Sequence, residues 1–210
     1  MEISSGFSFR GLEAARQKGF HYIDTDLPEV IDKKLNFISA LKNERFNLSG
    51  TLELLPLNAL DDEQFHEVVS RFPAGEIAIV NEGLLMYLDS EEKKKLCSII
   101  HKILKERGGY WITADIYIKK QFEKLNLKID KQTNDFFEQH RIEENKFESF
   151  EDAEAFFLSM GFEIDKVAKV DRSRLSSMKY FLKSATIKQL FHFRKAPKIQ
   201  ATWRLKTAVG

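Results

Sequence analysis

Glu2 to Asp26 reads EISSGFSFRGLEAARQKGFHYIDTD. The stretch parses as strand, tight loop, helix, strand. Glu2 and Ile3 end a first strand, and Ser4, Ser5, Gly6 and Phe7 form the turn. Phe9 to Lys18 is expected as a helix with Gly19 as its C-terminal cap. Phe20 to Thr25 is the next strand, with Asp26 at its end. Gly6 and Asp26 stand 20 residues apart, the usual distance from a nucleotide-binding turn to an acid that accepts hydrogen bonds from ribose hydroxyls.

The same alternation continues downstream. Leu27 and Pro28 lead into a helix to about Lys42, proline being well placed where its missing N–H would be unpaired anyway. Val30, Ile31, Leu35 and Ile38 are expected on its apolar face. Asn43 to Ser49 is a polar loop, and Thr51 to Leu57 a third strand. Asp61 or Asp62 caps a helix running to Phe72. Ile77 to Asn81 is nearly all apolar, as expected of a central parallel strand buried on both faces. Asp89 with Glu92 resembles a capping box. The helix behind it carries Leu96, Ile99, Ile100, Ile103 and Leu104 on one stripe, stopped by Gly108 and Gly109. Tyr110 to Ile116 is a fifth strand. Five strand–helix units of this kind imply an α/β fold with a Rossmann-like, doubly wound, mostly parallel sheet.

Beyond Ile116 the pattern loosens. Lys119 to Glu144 is polar and helical in character, with Phe122, Phe136 and Phe137. Ser149 with Asp152 opens another helix, closed by Gly161, and Phe162 to Val170 alternates as a strand. Arg172 to Phe193 reads as helix plus loop and Gln200 to Lys206 as a final strand. The late strand pair is expected as an antiparallel hairpin at one edge.

At 210 residues, with 43% hydrophobic and 31% charged residues, the chain is expected to be one soluble domain. No apolar run approaches membrane-spanning length and the start has no signal pattern, so the reading is cytoplasmic and without a membrane partner. The one cysteine, Cys97, excludes an internal disulfide and a cysteine metal cluster; in an amphipathic helix it reads as a buried structural thiol. The five histidines have no metal-ligand spacing. Net charge is +1, yet from Lys166 onward there are 12 basic residues and one acid, Asp171. This basic 166–210 segment either solvates and balances the acidic first part or takes an anionic partner such as RNA.

In such a sheet, ligands bind beyond the C-terminal ends of the strands, where strand order reverses. The sequence delivers there Ser4 to Ser8, Asp26, Asn58 to Leu60, Glu82 to Tyr87 and Asp115. The first turn has one glycine, Gly6, where a dinucleotide site wants three. That disfavours a nicotinamide-dependent oxidoreductase and suits a cofactor with one nucleoside and no phosphate, such as S-adenosylmethionine. Glu82 alternatively caps the next helix, and Asp115 is read as a structural acid.

Three motifs carry a family resemblance. EISSGFSFRG, YIDTDLPEVIDKK and IVNEGLLMYLDSEEKKKL resemble those of the leucine carboxyl methyltransferase-like family, which includes bacterial O-methyltransferases of the polyketide-pathway type. The likeness runs from Glu2 to about Ile116. It implies a class I methyltransferase fold of seven strands, the last antiparallel, and S-adenosylmethionine as cofactor. Ser4, Ser5 and Gly6 would then be the turn against the methionine part, with Arg10 matching the arginine that follows it. Asp26 would hold the ribose hydroxyls. Asn58, Ala59 and Leu60 occupy the place of the adenine-reading aspartate and its neighbouring amide, with Asn for Asp adding a donor and dropping the charge. Glu82 and Gly83 match the acid after the fourth strand, near the sulfonium end, and Tyr87 one turn on faces the substrate. Family members usually carry an N-terminal helical lid before the first motif. This sequence begins at that motif, so the expectation is a single domain over 1–210 without the lid, with 117–160 as a substrate-covering insertion.

The implied chemistry is transfer of a methyl group to an oxygen of a small molecule or peptide. A carboxylate acceptor needs no base; a hydroxyl needs one, for which Tyr87, His140 and His192 are the candidates. The alternative is a non-catalytic relative that keeps the cofactor site.

Overall fold

A computed structural model of the chain describes residues 1–42, 48–119, 131–169, 178–184 and 198–208. Seven strands form one sheet: β1 Glu2–Ile3, β2 His21–Asp26, β3 Thr51–Pro56, β4 Ile77–Asn81, β5 Gly109–Tyr117, β6 Phe162–Val167 and β7 Gln200–Thr207. Their order is β3-β2-β1-β4-β5-β7-β6. All neighbours pair in parallel except those involving β7, which runs antiparallel to both β5 and β6. The expected late antiparallel pair stands at one edge of the sheet, with β6 outermost. β7 inserts between β5 and β6 because β5 offers it a long ladder, from Trp111 opposite Leu205 to Tyr117 opposite Gln200.

The helices are α1 Arg10–Ala14, α2 Pro28–Lys42, α3 Asp62–Ser70, α4 Ser90–Arg107, α5 Lys131–Gln139, α6 Ile142–Asn145, α7 Phe150–Ser159 and α8 Met178–Ser184, with a 3-10 turn at Leu85–Tyr87. Local chemistry sets the starts of α3, α4 and α7. The Asp61 carboxylate accepts from Gln64 N–H, 3.0 Å, at the start of α3. Asp89 and Glu92 exchange side-chain-to-backbone bonds of 2.9 Å, a complete capping box at α4. Ser149 Oγ accepts from Asp152 N–H at 3.0 Å to open α7.

Two expectations about the helices fail for tertiary reasons. The first helix ends at Ala14, not Lys18. Its terminal carbonyl at Ala15 accepts instead from Ser49 and Gly50 N–H groups, at 3.1 and 2.8 Å, from the chain entering β3. A Cβ on Gly50 would stand 2.4 Å from Phe20 O, so this approach needs glycine. On α2 the buried positions are Ile31, Lys34 and Ile38, whereas Leu35 is exposed. The inward stripe contains a lysine because a carboxylate waits beneath it.

The core lies between the sheet and the α3–α4–α7 layer. Ile79, Trp111 and Leu205 point there from β4, β5 and β7, and Leu96, Ile100 and Ile103 of α4 pack against them, all fully buried. The rings of Phe157 and Phe162 each lie 5.4 Å from that of Trp111. Gly109 opens β5 at φ 102°, where a Cβ would meet Ile77 O at 2.0 Å. On the opposite face α1 contacts β2, and α2 contacts β2 and β3. β4 is therefore not buried on both faces as expected: Ala78 is exposed and Val80 half-buried. No described helix is long and apolar enough to cross a membrane.

Candidate functional site

Strand order reverses between β1 and β4, and a cleft of about 660 Å³ opens at their C-terminal ends. Ser4, Ser5, Gly6, Ser8 and Arg10 line it from the first turn, Asp26 from β2, and Glu82, Gly83, Leu84 and Tyr87 from the segment after β4. Eight residues read from the sequence as site residues thus converge: Ser4, Ser5, Gly6, Arg10, Asp26, Glu82, Gly83 and Tyr87.

The turn is held from both sides. Ser4 adopts φ 50° and Gly6 φ 48°, so two of three successive residues are left-handed, a geometry that costs Ser4 energy and Gly6 little. Ser5 N–H donates to Thr25 O at 2.9 Å. Gly6 N–H donates to Asp26 Oδ2 at 2.7 Å, and Leu27 N–H to Asp26 Oδ1 at 2.8 Å. Each Asp26 oxygen keeps a further lone pair for a ligand hydroxyl. Below the turn, Lys34 Nζ donates to Ser5 Oγ at 2.9 Å and stands 2.8 Å from Asp24 Oδ2, both residues being fully buried. Burial pushes the Asp24 carboxyl up to about 6, against the pull of Lys34.

Arg10 spans the cleft floor. Its Nη2 donates to Glu2 Oε1 and its Nη1 to Glu82 Oε2, each at 2.6 Å. Glu2 is almost fully buried at 1% exposure, and Tyr22 OH donates to its other oxygen at 2.8 Å. The hydrogen bond to Glu2 is the largest influence holding Arg10 in its charged form, and burial beside Glu2 pushes the Tyr22 phenol far above its ordinary range. Glu82 is half-exposed at 52%. It pairs with Arg10 rather than capping α4, a task Asp89 performs.

Other candidates stand next to the lining residues without belonging to the lining. Asn58, Ala59 and Leu60 are not part of the cleft lining. Asn58 Oδ1 accepts from Leu60 N–H at 3.0 Å, a local turn, and Ala59 and Leu60 lean on the core. His140 is exposed, with its ring 5.9 Å edge-on from Tyr87 and 4.4 Å from Phe136. The Phe136 ring of α5 stands 6.3 Å from that of Tyr87, and α6 contacts the 3-10 turn that carries Tyr87, whereas α7 packs into the core. His192, Phe122 and most of the basic segment fall outside the described residues. Cys97 is buried in α4, as expected. Among the described residues no cluster of His, Cys, Asp and Glu suits a metal ion.

Sequence reading passed over Glu2, Tyr22, Asp24 and Lys34. A signal for Tyr22 and Asp24 exists. Period-2 alternation puts Tyr22, Asp24 and Asp26 on one face of β2, and an acid in mid-strand demands a partner.

No family model matches the sequence, and no curated protein matches it. Solved structures do share its fold. PKMT2 from Rickettsia typhi in complex with AdoHcy superposes with TM-score 0.58 at 14% identity, covering 98% of this chain and 48% of that one. The mitomycin 7-O-methyltransferase MmcR gives 0.55 at 10%, covering 99% and 48%. A pericyclic reaction enzyme gives 0.57 at 11%, covering 98% and 42%. The chain spans less than half the length of these three. The fold is the Rossmann-like class I methyltransferase fold.

Proposed function

We propose that the cleft binds S-adenosylmethionine and that the protein is an O-methyltransferase of the leucine carboxyl methyltransferase-like kind, acting on a carboxylate or hydroxyl of a small molecule or peptide. The observation that carries the reading is the convergence of a one-glycine turn, Asp26 and the Arg10–Glu82 pair at the reversal point of the sheet. The donor set fits the cofactor. Asp26 presents acceptors to a ribose diol, Gly6 lets a ligand approach the backbone closely, and Glu82 offers a half-exposed carboxylate to a cation. When bound, the cofactor supplies an electrophilic methyl on a good leaving group. The protein's share is alignment and desolvation. Arg10, held by buried Glu2, fixes where Glu82 stands. Tyr87 borders the acceptor side, and His140 behind it takes the proton of a hydroxyl acceptor; a carboxylate acceptor requires none. α5 and α6 shield the mouth.

Isothermal titration with S-adenosylmethionine, S-adenosylhomocysteine and NAD tests the reading. The first two are expected to bind and NAD not to. Asp26→Ala is expected to weaken binding about tenfold or more, since hydrogen bonds to a charged group are lost. Binding of NAD alone would overturn the reading. A second reading is a cofactor-binding protein without methyl transfer, favoured by the fold being shared with a pericyclic reaction enzyme. Cofactor binding with no transfer of labelled methyl to any carboxylate or hydroxyl acceptor would select it.

A further inference from the structure

We propose that Asp115 is a positioning residue that sets Glu82 and Tyr87 at the cleft; the proposal rests on the cofactor reading above. Asp115 sits in β5 at 2% exposure. Among the described residues it has no ion-pair partner; its charge is met by four hydrogen bonds instead. Gly83 N–H donates to Oδ1 at 2.6 Å. Asn81 Nδ2, Leu84 N–H and Leu85 N–H donate to Oδ2 at 2.6, 2.7 and 3.0 Å. Three consecutive amides thus converge on one carboxylate from a neighbouring strand, forming an anion nest whose anion is built in.

The consequence is local. Leu84 precedes the 3-10 turn without a side-chain cap of its own, so Asp115 performs that task across the sheet. Asn81 is also fixed, because Trp111 Nε1 donates to its Oδ1 at 2.7 Å. Glu82 lies between two held residues, Asn81 and Gly83, and Tyr87 ends the turn that starts at Leu85. The only freedom left to Glu82 is its side chain, which Arg10 takes up. Fixed in this way, Glu82 meets a sulfonium without first reorganising.

Asp115→Asn replaces one acceptor oxygen by an NH2 that faces N–H donors. The readout is the ratio of affinities for S-adenosylmethionine and S-adenosylhomocysteine, ligands that differ in the sulfonium charge. Glu82→Gln is expected to lower that ratio about tenfold. Asp115→Asn is expected to lower it by a similar factor, and the double variant to go no further, since both act through one carboxylate. A lower melting temperature with an unchanged ratio, or fully additive losses, would make Asp115 merely structural and overturn the proposal. Should the wild type bind neither ligand, or the variant not fold, amide exchange in the wild-type protein decides. Gly83, Leu84 and Leu85 are expected to exchange as slowly as the interior of α4, and fast exchange refutes the positioning.

Discussion

Gly11→Ala inverts an ordinary rule. In the interior of an exposed helix, alanine for glycine stabilises by about 1 kcal/mol. Here the added Cβ on α1 would lie 2.8 Å from Tyr22 Cδ1 and 2.9 Å from each oxygen of Asp24. None of these atoms can yield cheaply. Tyr22 is tied to Glu2, and the Asp24 carboxylate is fully buried against Lys34. Overpacking of this kind costs about 1–3 kcal/mol, and the rigid, charged surroundings place it at the upper end. The net expectation is a loss of about 2 kcal/mol, or roughly 4–8 °C in melting temperature for a domain of this size. Urea denaturation with a constant m-value measures it. The same substitution in an Asp24→Ala/Lys34→Met background should cost less, because the two Asp24 oxygens it strikes are gone and only the Tyr22 contact remains. A Gly11→Ala protein more stable than wild type, or equal costs in the two backgrounds, would refute the buried pair beneath α1.

Three further outcomes follow from the geometry. The folded Asp24 carboxyl titrates near 6 against 3.8 unfolded, because burial favours its neutral form. Its contribution to stability is therefore complete below about pH 4 and lost as pH rises through about 6; relative to Asp24→Asn, the wild type should lose about 3 kcal/mol over that window in denaturation midpoints, and a flat difference contradicts it. Asp89→Ala removes the capping box of α4 and is expected to cost about 1 kcal/mol in the same assay without altering ligand affinity. Cys97 is buried in α4 and burial pushes its thiol far above the ordinary range, so thiol reagents should label it only at the rate of unfolding; prompt labelling of the native protein would refute the placement.

The elements were legible in the sequence because their signals are local. Asp61, Asp89 and Ser149 cap helices with atoms three residues away, and the apolar stripe of α4 needs nothing but its own period. The 20-residue span from Gly6 to Asp26 located the cleft for the same reason, since a strand–turn–helix–strand unit of short links fixes where its ends meet. The extent of α1, the inward-facing Lys34 and the insertion of β7 were not legible. Each is decided by a group distant in sequence: Ser49 and Gly50 at Ala15, Asp24 under Lys34, and β5 beside β7. The site divides along the same line. The residues that line the cleft lie at or just beyond the C-terminal ends of β1, β2 and β4, which sequence order alone delivers to one end of a parallel sheet. The residues that hold them in place, Glu2 under Arg10 and Asp115 behind Glu82, are buried charges. A buried charge persists only where partners from other strands satisfy it, and those partners meet only once the sheet has formed.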